Sequence, residues 1–138
     1  MKYMLDTNIC IYAIKQKPKI VMANIMAHDP SDICISSITY AELMHGVEKS
    51  QAIEKNRFAL ALFLSAIEIR EFHTSAAEAY GRIRADLEKH GTPIGPLNLL
   101  IAGHARAEGC VLVTNNTREF QGVEGLRIEN WASGDERG

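Results

Sequence analysis

The sequence predicts a single α/β domain with a mostly parallel central sheet and helices on both faces. Three observations carry that expectation. Short apolar runs suited to buried strands, at residues 3–5, 33–35 and 111–113, alternate along the chain with longer segments of helical period. The length of 138 residues lies in the single-domain range and is enough to bury a sizeable core. Hydrophobic residues at 46% and charged residues at 23% are globular proportions, which excludes a disordered chain.

Residues 2–5 read as the first strand, stopped at Asp6-Thr7-Asn8. Ile9, Ile11, Tyr12 and Ile14 then mark an amphipathic helix over residues 9–16, which Pro18 ends. A second helix covers 20–28, with Pro18 or Lys19 near its start. Residues 33–35 are the second strand, after which Thr39-x-x-Glu42 has capping-box spacing and opens a helix reaching about Glu48. The segment 52–66 carries Phe58, Leu60, Leu62, Phe63 and Leu64, apolar over most of its circumference. Such a helix is buried on several sides, in the core or against another chain. Residues 68–72 alternate weakly as a third strand, and 76–89 form a helix ended by Gly91. A rigid, turn-rich loop over 91–96 precedes a helix over 97–107 ended by Gly109, a buried strand at 111–113 and an edge strand at 126–128. There is no repeat, linker or low-complexity tract, so the expected organisation is one domain over residues 1–132 and a frayed polar tail over 133–138.

Composition narrows the class further. No apolar stretch reaches the ~18 residues of a membrane span and no long apolar segment opens the chain, so the expectation is a soluble cytoplasmic protein. Cys10, Cys34 and Cys110 are odd in number, widely spaced and set among aliphatic residues, which reads as core packing rather than a disulfide or zinc framework. A net charge of −2 argues at face value against a nucleic-acid partner. If Asp6, Glu42 and Glu119 belong to one site, however, the remaining acids nearly balance the 15 basic residues, and polyanion binding would rest on local basic patches.

The strand ends carry the chemistry. Asp6 follows the first strand, Ser36-Ser37-Ile38-Thr39-Tyr40-Ala41-Glu42 the second, and Asn115-Asn116-Thr117-Arg118-Glu119 the strand at 111–113. Open α/β sheets build their sites at the carboxyl ends of their strands, and oxygen-rich groups gathered there suit a hard metal ion. Met4-Leu5-Asp6-Thr7-Asn8, Ser36 to Leu43, Gly95-Pro96-Leu97-Asn98-Leu99-Leu100-Ile101-Ala102-Gly103-His104-Ala105 and Val113 to Phe120 closely resemble, in order and over nearly the whole chain, the four motifs of PIN-domain ribonucleases of the VapC toxin type. The resemblance implies a PIN-like fold and hydrolysis of RNA phosphodiesters with Mg²⁺ or Mn²⁺. It also implies a homodimer and a VapB-type antitoxin whose arm presses a basic residue into the acidic pocket. The Asn-Asn-Thr-Arg-Glu-Phe style looks most like relatives that cut the anticodon stem-loop of initiator tRNA. By the match, Asp6 is a central metal ligand, Glu42 a second ligand or water-orienting group, Glu119 an outer one, and Asn116 a holder of metal-bound water.

Asn98 departs from the pattern, because the family has aspartate there (Gly-Pro-x-Asp). Asparagine keeps the shape and loses part of the field that attracts a divalent cation, so this chain is expected to be an impaired ribonuclease, with a catalytically inactive module that binds antitoxin or RNA as the alternative. Each signal also has a plainer account. Asp6 can cap the first helix, Thr39-x-x-Glu42 is a capping box and Asn116-x-x-Glu119 a looser one. Glu42-x-x-His45 is half of a di-iron spacing that needs a second copy, so His45 reads as a surface or packed histidine and His104 as part of its helix's packing. Lys15, Lys17, Arg82, Arg84, Lys89 and Arg118 are candidate phosphate contacts, although the helix dipole already accounts for Lys15 and Lys17. A phosphoacceptor receiver domain is excluded by the missing central aspartate and terminal lysine.

Overall fold

The computed structural model describes residues 1–133, and in it five short strands form one wholly parallel sheet. They are β1 (Tyr3–Leu5), β2 (Ile33–Ser36), β3 (Glu68–Arg70), β4 (Val111–Val113) and β5 (Ile128–Glu129), in spatial order β3-β2-β1-β4-β5. The helices are α1 (Thr7–Lys15), α2 (Lys19–Met26), α3 (Ser37–Glu48), α4 (Ile53–Leu64), α5 (Thr74–Lys89), α6 (Pro96–Glu108) and the single turn α7 (Thr117–Phe120). A 3-10 turn over Pro30–Asp32 leads into β2. Of the expected tail over 133–138, all but Ser133 lies outside the described residues.

Central β1 pairs with β2 through Tyr3 and Ile33 and with β4 through Leu5 and Val113. Because the strands run one way, the segments leaving β1, β2 and β4 meet at a single edge. Successive strand residues face opposite sides. Leu5, Ile33, Ile35 and Val113 pack with Ile9, Val21, Leu43 and Leu60 of α1–α4, whereas Met4, Cys34 and Leu112 pack with Ile101, Ala102 and Ala105 of α6 and with Phe120. Both faces are therefore covered, as uninterrupted apolar strands require. The three cysteines are buried and free within this packing.

Helix α6 is held at a fixed height. Ile83 and Leu87 of α5 pack with Leu99 of α6, and a Cβ added at Gly103 would lie 2.9 Å from the Tyr80 backbone nitrogen. Only glycine permits that approach. The first turn of α6, which carries Asn98, is thereby set against the sheet edge.

The structure moves the starts of α1, α3 and α5 two residues earlier, α5 to Thr74, and at α1 and α3 a side-chain cap sets the new start. α1 begins at Thr7 because Asp6 is its N-cap, its carboxylate accepting Ile9 N–H at 3.0 Å. α3 begins at Ser37, where Ser36 in extended conformation accepts Ile38 N–H at 3.0 Å. Ser36 closes β2 in the geometry an N-cap needs, so it takes the role that the Thr39-x-x-Glu42 spacing assigned to Thr39. Thr39 and Glu42 lie inside the helix and no capping box forms. The third strand stops at Arg70 because its pairing with β2 ends at Ser36, and the edge strand falls at Ile128–Glu129, opposite Leu112 and Val113. On α4, Leu60 is buried while Phe58 and Leu62 are 70% and 64% exposed, leaving an unpartnered apolar face. Among the described residues no helix is long and apolar enough to cross a membrane.

Candidate functional site

Asp6 leaves β1 at the centre of the sheet edge and is 5% exposed. Burial raises its pKa above the usual carboxylate range, against the opposing pull of hydrogen bonds from the Thr114 hydroxyl and Ile9 N–H, and the Glu42 charge adds to the rise. Glu42, half-buried in α3, accepts the Thr7 hydroxyl. Asp6 and Glu42 thus form a fixed pair of carboxylates that repel each other in a poorly solvated place. A hard cation gains most from such a pair, and the all-oxygen donor set suits Mg²⁺ or Mn²⁺.

The second cluster is built differently. Glu119 in α7 accepts Gly95 N–H at 3.2 Å on Oε1, while Oε2 accepts Asn98 Nδ2 at 2.7 Å and Asn116 Nδ2 at 3.0 Å. Glu119 is therefore satisfied by protein N–H groups, and the amides of Asn98 and Asn116 present hydrogens to it where a cation would otherwise sit. Neither amide nor Glu119 makes the capping box suggested by Asn116-x-x-Glu119; the Asn116 side chain makes no cap bond. Among the described residues no three His, Cys, Asp or Glu side chains come together as a metal-holding group. Asn98, which donates where a carboxylate would repel, is part of the reason.

A buried polar chain holds the start of α3. His104, wholly buried, places Nδ1 2.8 Å from Ser36 Oγ, the same oxygen that caps α3. Its Nε2 faces Glu108 Oε2 at 3.6 Å, and Glu108 is bound by Arg70. Burial lowers the His104 pKa, with the Glu108 charge opposing and Arg70 adding to the fall. His104 thus ties α6, which carries Asn98, to the helix that carries Glu42.

The sequence missed Thr7, Thr114 and the Gly95 backbone, each of which touches a site carboxylate. For Thr7 and Thr114 a signal existed, since each adjoins a strand end beside an already suspected residue. Of the cations, Arg84 is engaged by Glu88 and Tyr80. Lys15 and Lys17 are exposed at the end of α1, and His45 is exposed with no ligand partner.

The PIN domain profile matches residues 3–126. The chain is 48% identical over 132 residues to the tRNA(fMet)-specific endonuclease VapC of Shigella flexneri, covering 96% of this chain and 99% of the relative. It is 46% identical over 131 residues to Ribonuclease VapC2 of Haemophilus influenzae, covering 95% and 98%. Its fold is similar to the crystal structure of VapBC2 from Rickettsia felis bound to a promoter DNA fragment, with a TM-score of 0.89 at 45% identity over 95% of this chain and 99% of that one.

Proposed function

The chain belongs to the PIN domain family, in its VapC-type branch, and from that premise we propose that it is a divalent-metal-dependent endoribonuclease toxin, impaired by Asn98 and neutralised by a cognate VapB-type antitoxin. Its substrate on this reading is tRNA, with the initiator anticodon stem-loop favoured by relatives named for tRNA(fMet). The observation that carries the reading is the pairing of buried Asp6 with half-buried Glu42 at the carboxyl edge of a parallel sheet.

A divalent cation bound there would neutralise charge on the scissile phosphate and lower the pKa of an attacking water. Asp6 and Glu42 would hold it, and Asn98, Asn116 and Glu119 stand at the outer side of the site. The chain's own contribution is positional. Thr114 and Ile9 N–H fix the Asp6 carboxylate, Thr7 fixes Glu42, and the start of α3 is tied to the body of α6 through Ser36 and His104. Asn98 carries no negative charge and its amide occupies Glu119, which also supports the second reading, a PIN-like module that binds antitoxin or RNA without cutting.

The apolar face around Met26, Phe58 and Leu62 flanks a groove of about 520 Å³ between α2 and α4, the surface we assign to a second chain. The domain is taken to end near residue 132, and a soluble cytoplasmic setting accords with the family. The deciding experiment compares RNA cleavage by Asn98→Asp and by the parent. Chelator-sensitive cleavage of tRNA by Asn98→Asp, with the parent much weaker, is expected. Equal cleavage by both removes the impairment, and none by either against tRNA and ribosomal RNA removes the enzyme.

A further inference from the structure

We propose that the cleft beside Glu42, between α1, α3 and the start of α6, is a subsite for single-stranded RNA in which Lys49 and His45 grip a phosphate and an apolar floor receives the adjoining base. The proposal rests on the ribonuclease reading and adds where the strand lies. The cleft measures about 580 Å³, a size at which small-molecule sites are commonly found. Glu42, His45 and Lys49 all line it, at the i, i+3 and i+7 spacing that puts side chains on one helix face. The floor is Ile38, Leu97 and Leu100, and Leu97 is 45% exposed at the very start of α6, where a polar residue would cost the fold nothing.

The charges are arranged for a polyanion. Lys49 and His45 stand exposed on the wall of the cleft and among the described residues neither is paired with a carboxylate, a state Lys49 shares with Lys15, Lys17 and Arg118 but which, of these, only Lys49 combines with a place in the cleft. The His45 imidazole and the Lys49 ammonium, one and two turns on from Glu42, would meet the phosphates next to the one being cut, the first as a hydrogen-bond donor and the second as a charge. An apolar peptide would leave the Lys49 charge unused, and a divalent cation held by Asp6 and Glu42 would leave the Lys49 end of the cleft and its apolar floor unfilled. A ribonucleotide strand uses the basic side chains and the floor together, since bases offer an apolar face and phosphates a charge.

The test measures anisotropy of a fluorescein-labelled anticodon stem-loop RNA with the full chain in chelator, across a salt series, so that binding is read apart from cleavage. Lys49→Gln should weaken binding several-fold and reduce the slope of log K against log salt by about 1, as loss of one phosphate contact does. His45→Gln should weaken binding less. Arg127→Gln, which removes the same charge before β5 at the far edge of the sheet, should change neither quantity. Leu97→Ser should abolish the preference for an unpaired strand over a duplex of the same sequence. If Lys49→Gln and His45→Gln bind as the parent does, the subsite is wrong even where Asn98→Asp cleaves RNA. If these substitutions instead split a dimer in sedimentation, a second copy covers the cleft. A parent chain that binds no RNA overturns the proposal along with the enzyme.

Discussion

The two carboxylate clusters lie at one sheet edge and obey opposite rules. Asp6 and Glu42 are left in mutual repulsion, with burial raising the Asp6 pKa. Glu119 is surrounded by the Gly95 amide and the side-chain amides of Asn98 and Asn116, so it needs nothing from outside. The lesson is that a binding edge is kept open by repelling charge and closed by matched donors, of which Asn98 supplies one of the three that Glu119 accepts. At Asp6 burial is the largest cause of the raised pKa and the Glu42 charge the smallest, whereas each charge-assisted hydrogen bond to Glu119 contributes about 1.5–3 kcal/mol.

Breaking that contrast should produce the largest effect. Asn98→Asp places a carboxylate against Glu119 and should raise metal-dependent RNA cleavage on the order of 100-fold or more. In chelator the same variant should melt lower than the parent, and Mn²⁺ should restore it by more than it stabilises the parent. Differential scanning fluorimetry with and without Mn²⁺ reads both.

Asp6 sharpens the other side. Asp6→Ala loses the α1 cap at about 1 kcal/mol, seen as a lower denaturation midpoint, whereas Asp6→Asn keeps the cap and relieves the repulsion, so in chelator near neutral pH it should melt above the parent. The sign follows from linkage. A folded pKa raised above the unfolded one means the folded chain still holds a proton that the unfolded chain has released, so stability falls as pH climbs from the unfolded value through the folded one. Asp6→Asn should flatten that fall in chelator-treated melts across the acid range.

A third, smaller effect concerns the brace behind Glu42. With its pKa lowered, buried His104 supports the fold while neutral, so its contribution is complete above the unfolded imidazole pKa and is lost as pH drops through the folded one. His104→Gln should remove the corresponding acid limb from urea midpoints measured against pH, with Arg70, His73 and Glu108 left in place as the charges around the ring.

The smallest change in stability is expected at Glu42. It lies inside α3 and caps nothing, and its charge is the smallest of the causes acting on Asp6, so Glu42→Gln should raise the unfolding free energy only slightly, by less than about 0.5 kcal/mol. Calorimetry should nonetheless show weaker Mn²⁺ binding. Unchanged Mn²⁺ affinity would remove Glu42 from the ligand set.

These differences also mark what the sequence made legible. Periodicity found each strand to within two residues and the parallel architecture from alternation, because buried strands of a covered sheet are apolar throughout, as Val111–Val113 is. It misplaced the start of α3 because Ser36, Ser37 and Thr39 are all capable caps, and only the end of β2 pairing selects Ser36. Strand ends pointed to Asp6, Glu42 and Glu119, and the resemblance to the PIN-domain motifs pointed to Asn98. Their division into an open pair and a closed trio was hidden, since it depends on where the Asn98 and Asn116 amides turn, and hydrogen-bond direction leaves no periodic trace.

One consequence of the one-way sheet is practical. Segments that feed into strands, such as the exposed turn at Gly109 before β4 and the bend ahead of Pro30, lie at the rim away from Asp6. A fluorophore or affinity handle attached at that rim would report on the whole protein while leaving its chemistry alone, and the same graft between Thr114 and Asn116 would report mainly on its own damage.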